Sequence, residues 1–143
     1  VYSANANGDN INLLINHIGG YKGTRPLDWF EDTLPSYLSV EKATGNWSIT
    51  FTSLNKTTIL LEKSMSAGET YNGIFDDVRI LSGDATSMTA SCSDSNFIVY
   101  AIGSSNIDLL INEIGPFTGS YLLKDYFIFD IQCGGDWVLE IKE

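Results

Sequence analysis

The sequence predicts an all-β protein folded as an antiparallel β-sandwich, of the immunoglobulin-like or jelly-roll-like kind. Apolar and polar residues alternate with period two in several short runs, a pattern that places successive side chains on opposite faces of a strand. Turn-forming residues separate these runs at residues 7–10, 82–84 and 134–136. Short strands at this spacing are typical of a sandwich.

The runs also predict which side chains point inward. Trp47, Ile49 and Phe51 share one face of the first run, and residues 87–92 and 96–100 alternate in the same way. The inward set predicted for residues 127–133 is Phe127, Phe129, Ile131 and Cys133. Only residues 57–69 favour a helical turn instead.

One phrase of the sequence occurs twice, which predicts an internal duplication. INLLINHIGGYKG, residues 11–23, returns as IDLLINEIGPFTG, residues 107–119. The correspondence extends upstream, where Val1-Tyr2 matches Val99-Tyr100, and downstream, where residues 43–47 match residues 133–137. Residues 1–53 therefore duplicate roughly residues 97–143, while residues 54–96 have no counterpart in the first copy.

This asymmetry predicts one sandwich domain, residues 1–143, built from a partial repeat (1–53) and a complete repeat (54–143). In one arrangement the partial repeat packs onto the complete one. In the other, strands from a neighbouring domain or chain fill its open edge, because an unpaired sheet edge readily binds another strand. The merged domain is preferred, because two separate units this small would each bury little surface.

Comparison of the two copies indicates that the repeated phrase is scaffold. Gly23 recurs as Gly119, which predicts a backbone position where a side chain does not fit. Tyr21 recurs as Phe117, which predicts that the ring is structural and the hydroxyl dispensable.

The candidate catalytic groups favour a protein that is not an enzyme. His17 is the only histidine and aligns with Glu113, so no acid–base role is common to both copies. The adjacent carboxylates Asp76 and Asp77 would point to opposite faces of a strand. We expect them to lie in a solvated edge or turn rather than to form a glycosidase pair.

The charge balance restricts partners and cofactors. The chain has 8 basic and 18 acidic residues, a formal net charge of −10, and no cluster of basic residues for a phosphate backbone, so we expect no nucleic-acid partner. No run approaches the roughly 20 apolar residues of a membrane span, so no membrane insertion is expected. No cofactor is expected either, with calcium at Asn7, Asp9 and Asp84 as the alternative, because acidic loops suit a hard cation.

The three tryptophans divide into two kinds. Trp47 and Trp137 each open the last strand of their copy on its inward face, and we expect both to lie in the core. Trp29 lies in a segment without a repeat counterpart, flanked by acids. A loop aromatic that stacks on a sugar beside carboxylates that accept hydroxyl hydrogen bonds would form a carbohydrate site; the alternative is a ring that covers the core edge. The predicted ligand-binding residues are Asp28, Trp29, Glu31 and Asp32.

The two cysteines predict a disulfide. Cys92 and Cys133 both fall on inward positions of their strands. Ala43 stands at the counterpart of Cys133, in the copy that lacks the strand of Cys92. A disulfide is therefore favoured over two buried free thiols. Together with abundant Asn, Ser, Thr and Gly, it predicts a secreted or cell-surface protein.

Two motifs of the chain resemble a known type of repeat. The pattern LLIN-x-IG-x-[YF]-x-G followed by G-x-W, at residues 13–23 and 45–47 and again at 109–119 and 135–137, is similar to β-sandwich repeats of secreted and cell-surface bacterial proteins, especially Gram-positive ones. The resemblance implies scaffold and identifies no binding residues.

The sequence as a whole predicts a non-catalytic extracellular module that binds carbohydrate or another extracellular ligand. The alternative is a structural subunit of a bacterial surface fibre or repeat array, with self-association through an open sheet edge and assembly by β-strand exchange.

Overall fold

The computed structural model describes residues 1–27, 35–53, 57–94 and 96–143, and these residues divide into two compact units. The N-terminal unit comprises residues 1–20 and 25–52, and the C-terminal unit comprises residues 21–24 and 53–143. The strands are almost all antiparallel, and the prediction of an all-β sandwich is confirmed. Whether the two units merge into one domain stays a prediction.

The N-terminal unit contains one small sheet. Its three strands, in the order β2-β1-β3, are β1 (Tyr2–Ala4), β2 (Asn10–Leu13) and β3 (Tyr37–Ser39). Both pairings are antiparallel, and Asn5 shapes the turn between β1 and β2 because its side-chain oxygen accepts hydrogen bonds from the backbone of Asn7 and Asp9.

The C-terminal unit is a sandwich of two sheets. It begins with helix α1 (Thr57–Lys63), within the one segment predicted to turn helically. The five-stranded sheet has the order β4-β6-β11-β8-β9, and the four-stranded sheet has the order β10-β7-β12-β5. The strands are β4 (Ser64–Met65), β5 (Thr70–Ile74), β6 (Asp77–Leu81), β7 (Ser87–Cys92), β8 (Asn96–Gly103), β9 (Ile107–Ile114), β10 (Phe117–Leu122), β11 (Tyr126–Cys133) and β12 (Asp136–Lys142).

The core of the C-terminal unit lies between these two sheets, where the alternating residues of facing strands meet. Every second side chain of β7, β8 and β12 is buried, as the period-two pattern predicts. The largest fully buried side chains include Trp137, Phe97, Phe129 and Met88.

Two local irregularities overturn the predicted inward faces. Phe127 was predicted to point inward, but it is 42% exposed, because the pairing of β11 with β8 shifts between Tyr126 and Ile128. The period-two rule would also place Leu109 on the same face as the buried Ile111, but Leu109 is 47% exposed. An extra residue in one strand turns the following side chains to the other face.

The second irregularity lies at Leu110 of β9, which has no residue opposite it because the pairing with β8 passes from Leu109 directly to Ile111. In the first copy the register of the β1–β2 pair shifts elsewhere, and Ile11 is the residue with none opposite it. The two hairpins therefore carry their extra residues at different places of the repeated phrase.

Candidate functional site

Trp137 is held by its neighbours on all sides. Its side chain is 1% exposed, and its ring N–H donates a hydrogen bond of 2.8 Å to the carbonyl oxygen of Phe75. A Cβ atom built on Gly73 would lie 2.2 Å from the ring atom Cζ2, so the ring occupies the space that a side chain on β5 would need. The guanidinium carbon of Arg79 lies 5.3 Å from the ring centroid, within the range of cation–π attraction.

Trp137 is buried because its strand lies inside the four-stranded sheet. Strand β12 lies between β7 and β5 and forms antiparallel pairs with both. Both neighbours come from residues 54–96, the part of the sequence that has no counterpart in the first copy. The first copy therefore contains a sequence like β12 without the two strands that surround β12.

The counterpart of β12 in the first copy is residues 46–52, here called the open segment. These residues belong to the described part of the chain, and they form no strand there. Trp47, Ile49 and Phe51 are 62%, 39% and 67% exposed, and no backbone hydrogen bond joins the open segment to another described residue. The predictions that Trp47 lies in the core and that residues 47–51 form a strand are therefore wrong, because the neighbouring strands that would pair with them are lacking.

By contrast, residues 21–24, which correspond to the start of β10, form hydrogen bonds within the C-terminal unit. The Tyr21 hydroxyl donates a hydrogen bond of 2.9 Å to Oδ2 of Asp76, and the backbone N–H of Thr24 donates one of 2.9 Å to the Asp76 carbonyl oxygen. The Tyr21 hydroxyl thus has a hydrogen-bond partner in this copy, and whether it is dispensable stays a prediction. The predicted crowding at Gly23 is confirmed, since a Cβ there would lie 2.2 Å from the Tyr21 hydroxyl oxygen.

The adjacent carboxylates Asp76 and Asp77 are structural groups. Oδ1 of Asp76 accepts a hydrogen bond of 3.2 Å from the backbone N–H of Cys133. Asp77 is only 8% exposed; its carboxylate forms an ion pair with Lys63 and lies 2.9 Å from Nε of Arg79. The expectation of a solvated pair is therefore wrong. An alternating pattern gives no signal for these contacts, since those to Cys133 and Lys63 join residues that are distant in the sequence.

The disulfide between Cys92 and Cys133 is confirmed, and the alternative of two free thiols is wrong. It joins β7 of one sheet to β11 of the other, with the two Cα atoms 6.2 Å apart. A disulfide fits an oxidising environment. It also fixes β7, the strand that separates β10 from β12, against the opposite sheet.

The predicted carbohydrate site lies outside the described residues. All four of its members, Asp28, Trp29, Glu31 and Asp32, fall within residues 28–34. Carbohydrate binding at this loop therefore stays a prediction.

Calcium binding also stays a prediction. In the turn that contains two of the proposed ligands, Oδ2 of Asp9 accepts a hydrogen bond of 3.1 Å from the Asn5 side-chain amide. Within the described ranges of the chain, no group of three or more His, Cys, Asp or Glu side chains could hold a metal ion.

Two surface cavities lined by described residues of the C-terminal unit each have a volume of about 320 Å³. One is lined in part by Tyr126, whose hydroxyl donates a hydrogen bond to the Asp108 carboxylate. This hydrogen bond is the main cause that raises the pKa of Tyr126 above its usual value, followed by burial and by the Asp108 charge. The hydroxyl therefore stays protonated at neutral pH and keeps its structural role.

Comparisons with protein-family models, curated proteins and solved structures find no match to this chain. None of the described helices is long and apolar enough to cross a membrane. The open segment is the described feature that bears most directly on function, because β12, its counterpart in the same chain, shows which strands pair with such a sequence.

Proposed function

We propose that the protein is a non-catalytic extracellular module with a structural role, which associates with neighbouring β-sandwich modules by β-strand addition at the open segment. Such a module would be a subunit of a surface fibre or repeat array. The observation that supports this is the order β10-β7-β12-β5. In this order a strand of the β12 type has a partner on each side, and the first copy supplies none among the described residues.

The physical reason lies in the backbone and in three apolar side chains. A strand-like segment without neighbours leaves its N–H and C=O groups to solvent and offers them to any other strand. Trp47, Ile49 and Phe51 alternate, so all three would point to one face of an added strand. Main-chain hydrogen bonds then provide affinity, and the apolar face provides specificity.

The extracellular setting is supported by the disulfide, by the low charge density and by the resemblance to repeats of secreted and cell-surface bacterial proteins. The net charge of −10 limits non-specific association. Contacts between modules would therefore depend on strand pairing and apolar burial rather than on attraction between opposite charges.

Carbohydrate binding through the Trp29 loop remains a second proposal, which rests on the sequence alone. A glycan array with Trp29→Ala as the control tests it. Absence of binding, or binding that the substitution leaves unchanged, would remove this site.

The proposed structural role predicts that the purified chain self-associates through the open segment when no other partner is present. Light scattering and electron microscopy over a range of concentrations should show oligomers that grow without closing, because a heterologous contact need not form a closed ring. A triple variant, Trp47→Ser, Ile49→Ser and Phe51→Ser, should remain monomeric.

The matched control is Ile114→Ser, which removes an apolar side chain that is 89% exposed outside the open segment. We expect it to assemble as the wild type does. A wild-type chain that stays monomeric at every concentration, or a triple variant that assembles equally well, would contradict the proposed role.

A further inference from the structure

Of the two strands that flank β12, β7 indicates the kind of strand that fits the open segment. It pairs with all three counterparts of Trp47, Ile49 and Phe51, whereas the pairing with β5 ends at Glu140. We propose that the open segment binds, in antiparallel orientation, an extended strand of a neighbouring β-sandwich module whose side-chain pattern is that of β7. This inference rests on the proposed function and names the partner for the same site.

The register follows from the second copy. In the C-terminal unit Trp137 lies directly opposite Cys92, and the pairing continues residue by residue to the end of both strands. Trp47 holds the position that corresponds to Trp137. The partner strand should therefore place a small side chain opposite Trp47 and apolar side chains at every second position from there, because the sequence of β7 is SMTASC and its buried positions alternate.

The size of the apolar face favours an added strand over simple docking of two faces. From their exposed fractions, the side chains of Trp47, Ile49 and Phe51 offer roughly 350 Å² of apolar surface. A stable interface needs about 800 Å² from each partner. A pairing strand covers these side chains and in addition satisfies a row of backbone groups, which a flat contact between two copies does not.

A second copy of this chain can supply that strand only at a cost, so we expect it to occupy the open segment only when no neighbouring module with an unpaired strand is present. Its β7 is paired over six positions with β10 and over six positions with β12, and Cys92 is tied by the disulfide to Cys133. Release of β7 would open the donor's own sheet. A neighbouring module with an unpaired strand of this pattern avoids that cost.

Disulfide trapping with a synthetic peptide tests the partner and its register. The peptide has the sequence of residues 86–93, with Cys92→Ala to remove the native thiol and Ser91→Cys to supply a new one. Oxidised glutathione in the buffer accepts the two electrons released when the disulfide forms. The full chain carries Ser48→Cys, an exposed position that corresponds to Val138, the residue opposite Ser91. Directly opposed residues of antiparallel strands lie within the distance that a disulfide spans.

We expect mixed-disulfide formation about tenfold faster than with a peptide that carries Thr89→Cys in place of Ser91→Cys, because pairing raises the effective concentration only in the matched register. The chain with Thr50→Cys should show the reverse preference, since Thr50 corresponds to Glu140, which lies opposite Thr89. The chain without an added cysteine controls for exchange with the native disulfide.

Equal rates with both peptides would overturn the proposed partner strand. Formation of Ser48→Cys homodimers in preference to the peptide adduct would also overturn it, because the occupant would then be a second copy. If the trap fails but the chain self-associates normally, the proposed structural role remains intact. If the trap succeeds in a chain that never self-associates, the partner strand is supported, and the growth of oligomers from this chain alone is contradicted.

Discussion

Trp137→Ala should lower the free energy of unfolding of the C-terminal unit by about 3–5 kcal/mol, as truncation of a large core aromatic typically does. The substitution would empty the space above Gly73 and leave the carbonyl of Phe75 without its 2.8 Å hydrogen bond from the ring. Trp47→Ala, at the corresponding position of the first copy, should cost less than about 0.5 kcal/mol, because the side chain is 62% exposed.

Urea denaturation followed by circular dichroism measures both variants, and the slope of the transition shows whether the same surface unfolds in each. Because the two substitutions are identical and fall at equivalent places of the repeat, the difference between them isolates the effect of neighbouring strands. Equal losses of stability would mean that Trp47 is buried in solution, and the claim that residues 46–52 lack partner strands would be contradicted.

The second large effect is expected from the disulfide. The double variant Cys92→Ala and Cys133→Ala should lose about 4 kcal/mol of stability, since the bond closes a loop with a sequence separation of 41 residues. Alanine is the suitable replacement because both positions are buried, at 4% and 2% exposure, and a hydroxyl there would need a hydrogen-bond partner.

Thermal or urea unfolding of the wild type after reduction provides the matched control, because it removes the bond without changing any side chain. Both measurements should agree to within about 1 kcal/mol, the usual cost of a conservative change. If reduction left the stability unchanged while the double variant unfolded, the loss would come from repacking and the disulfide would have no stabilising role.

Much of the C-terminal sandwich could be predicted from the sequence. Strands with both neighbours present follow the period-two rule closely, so Met88, Ala90 and Cys92 of β7 are buried as expected. The disulfide was predictable because a cysteine occurs only in the copy that also contains a strand for its partner. In these cases the local pattern and the packing of the sheet require the same orientation.

The errors arise where one residue or one distant contact decides the outcome. The extra residue at Leu110 and the register shift near Phe127 change the face of nearby side chains, and an apolar–polar pattern does not encode a bulge. Asp76 is fixed by Tyr21 and Cys133, both far away in the sequence. Trp47 has the pattern of a core strand, yet pattern alone does not show whether the neighbouring strands exist.

Amide hydrogen exchange in the monomeric chain compares the open segment with β12 in one sample. We expect the amides of β12 to exchange only through global opening of the C-terminal unit, whereas those of residues 46–52 should exchange close to the rate of an unstructured chain. Comparable protection of the two segments in a verified monomer would contradict this expectation, because the open segment would then already have its partner strands.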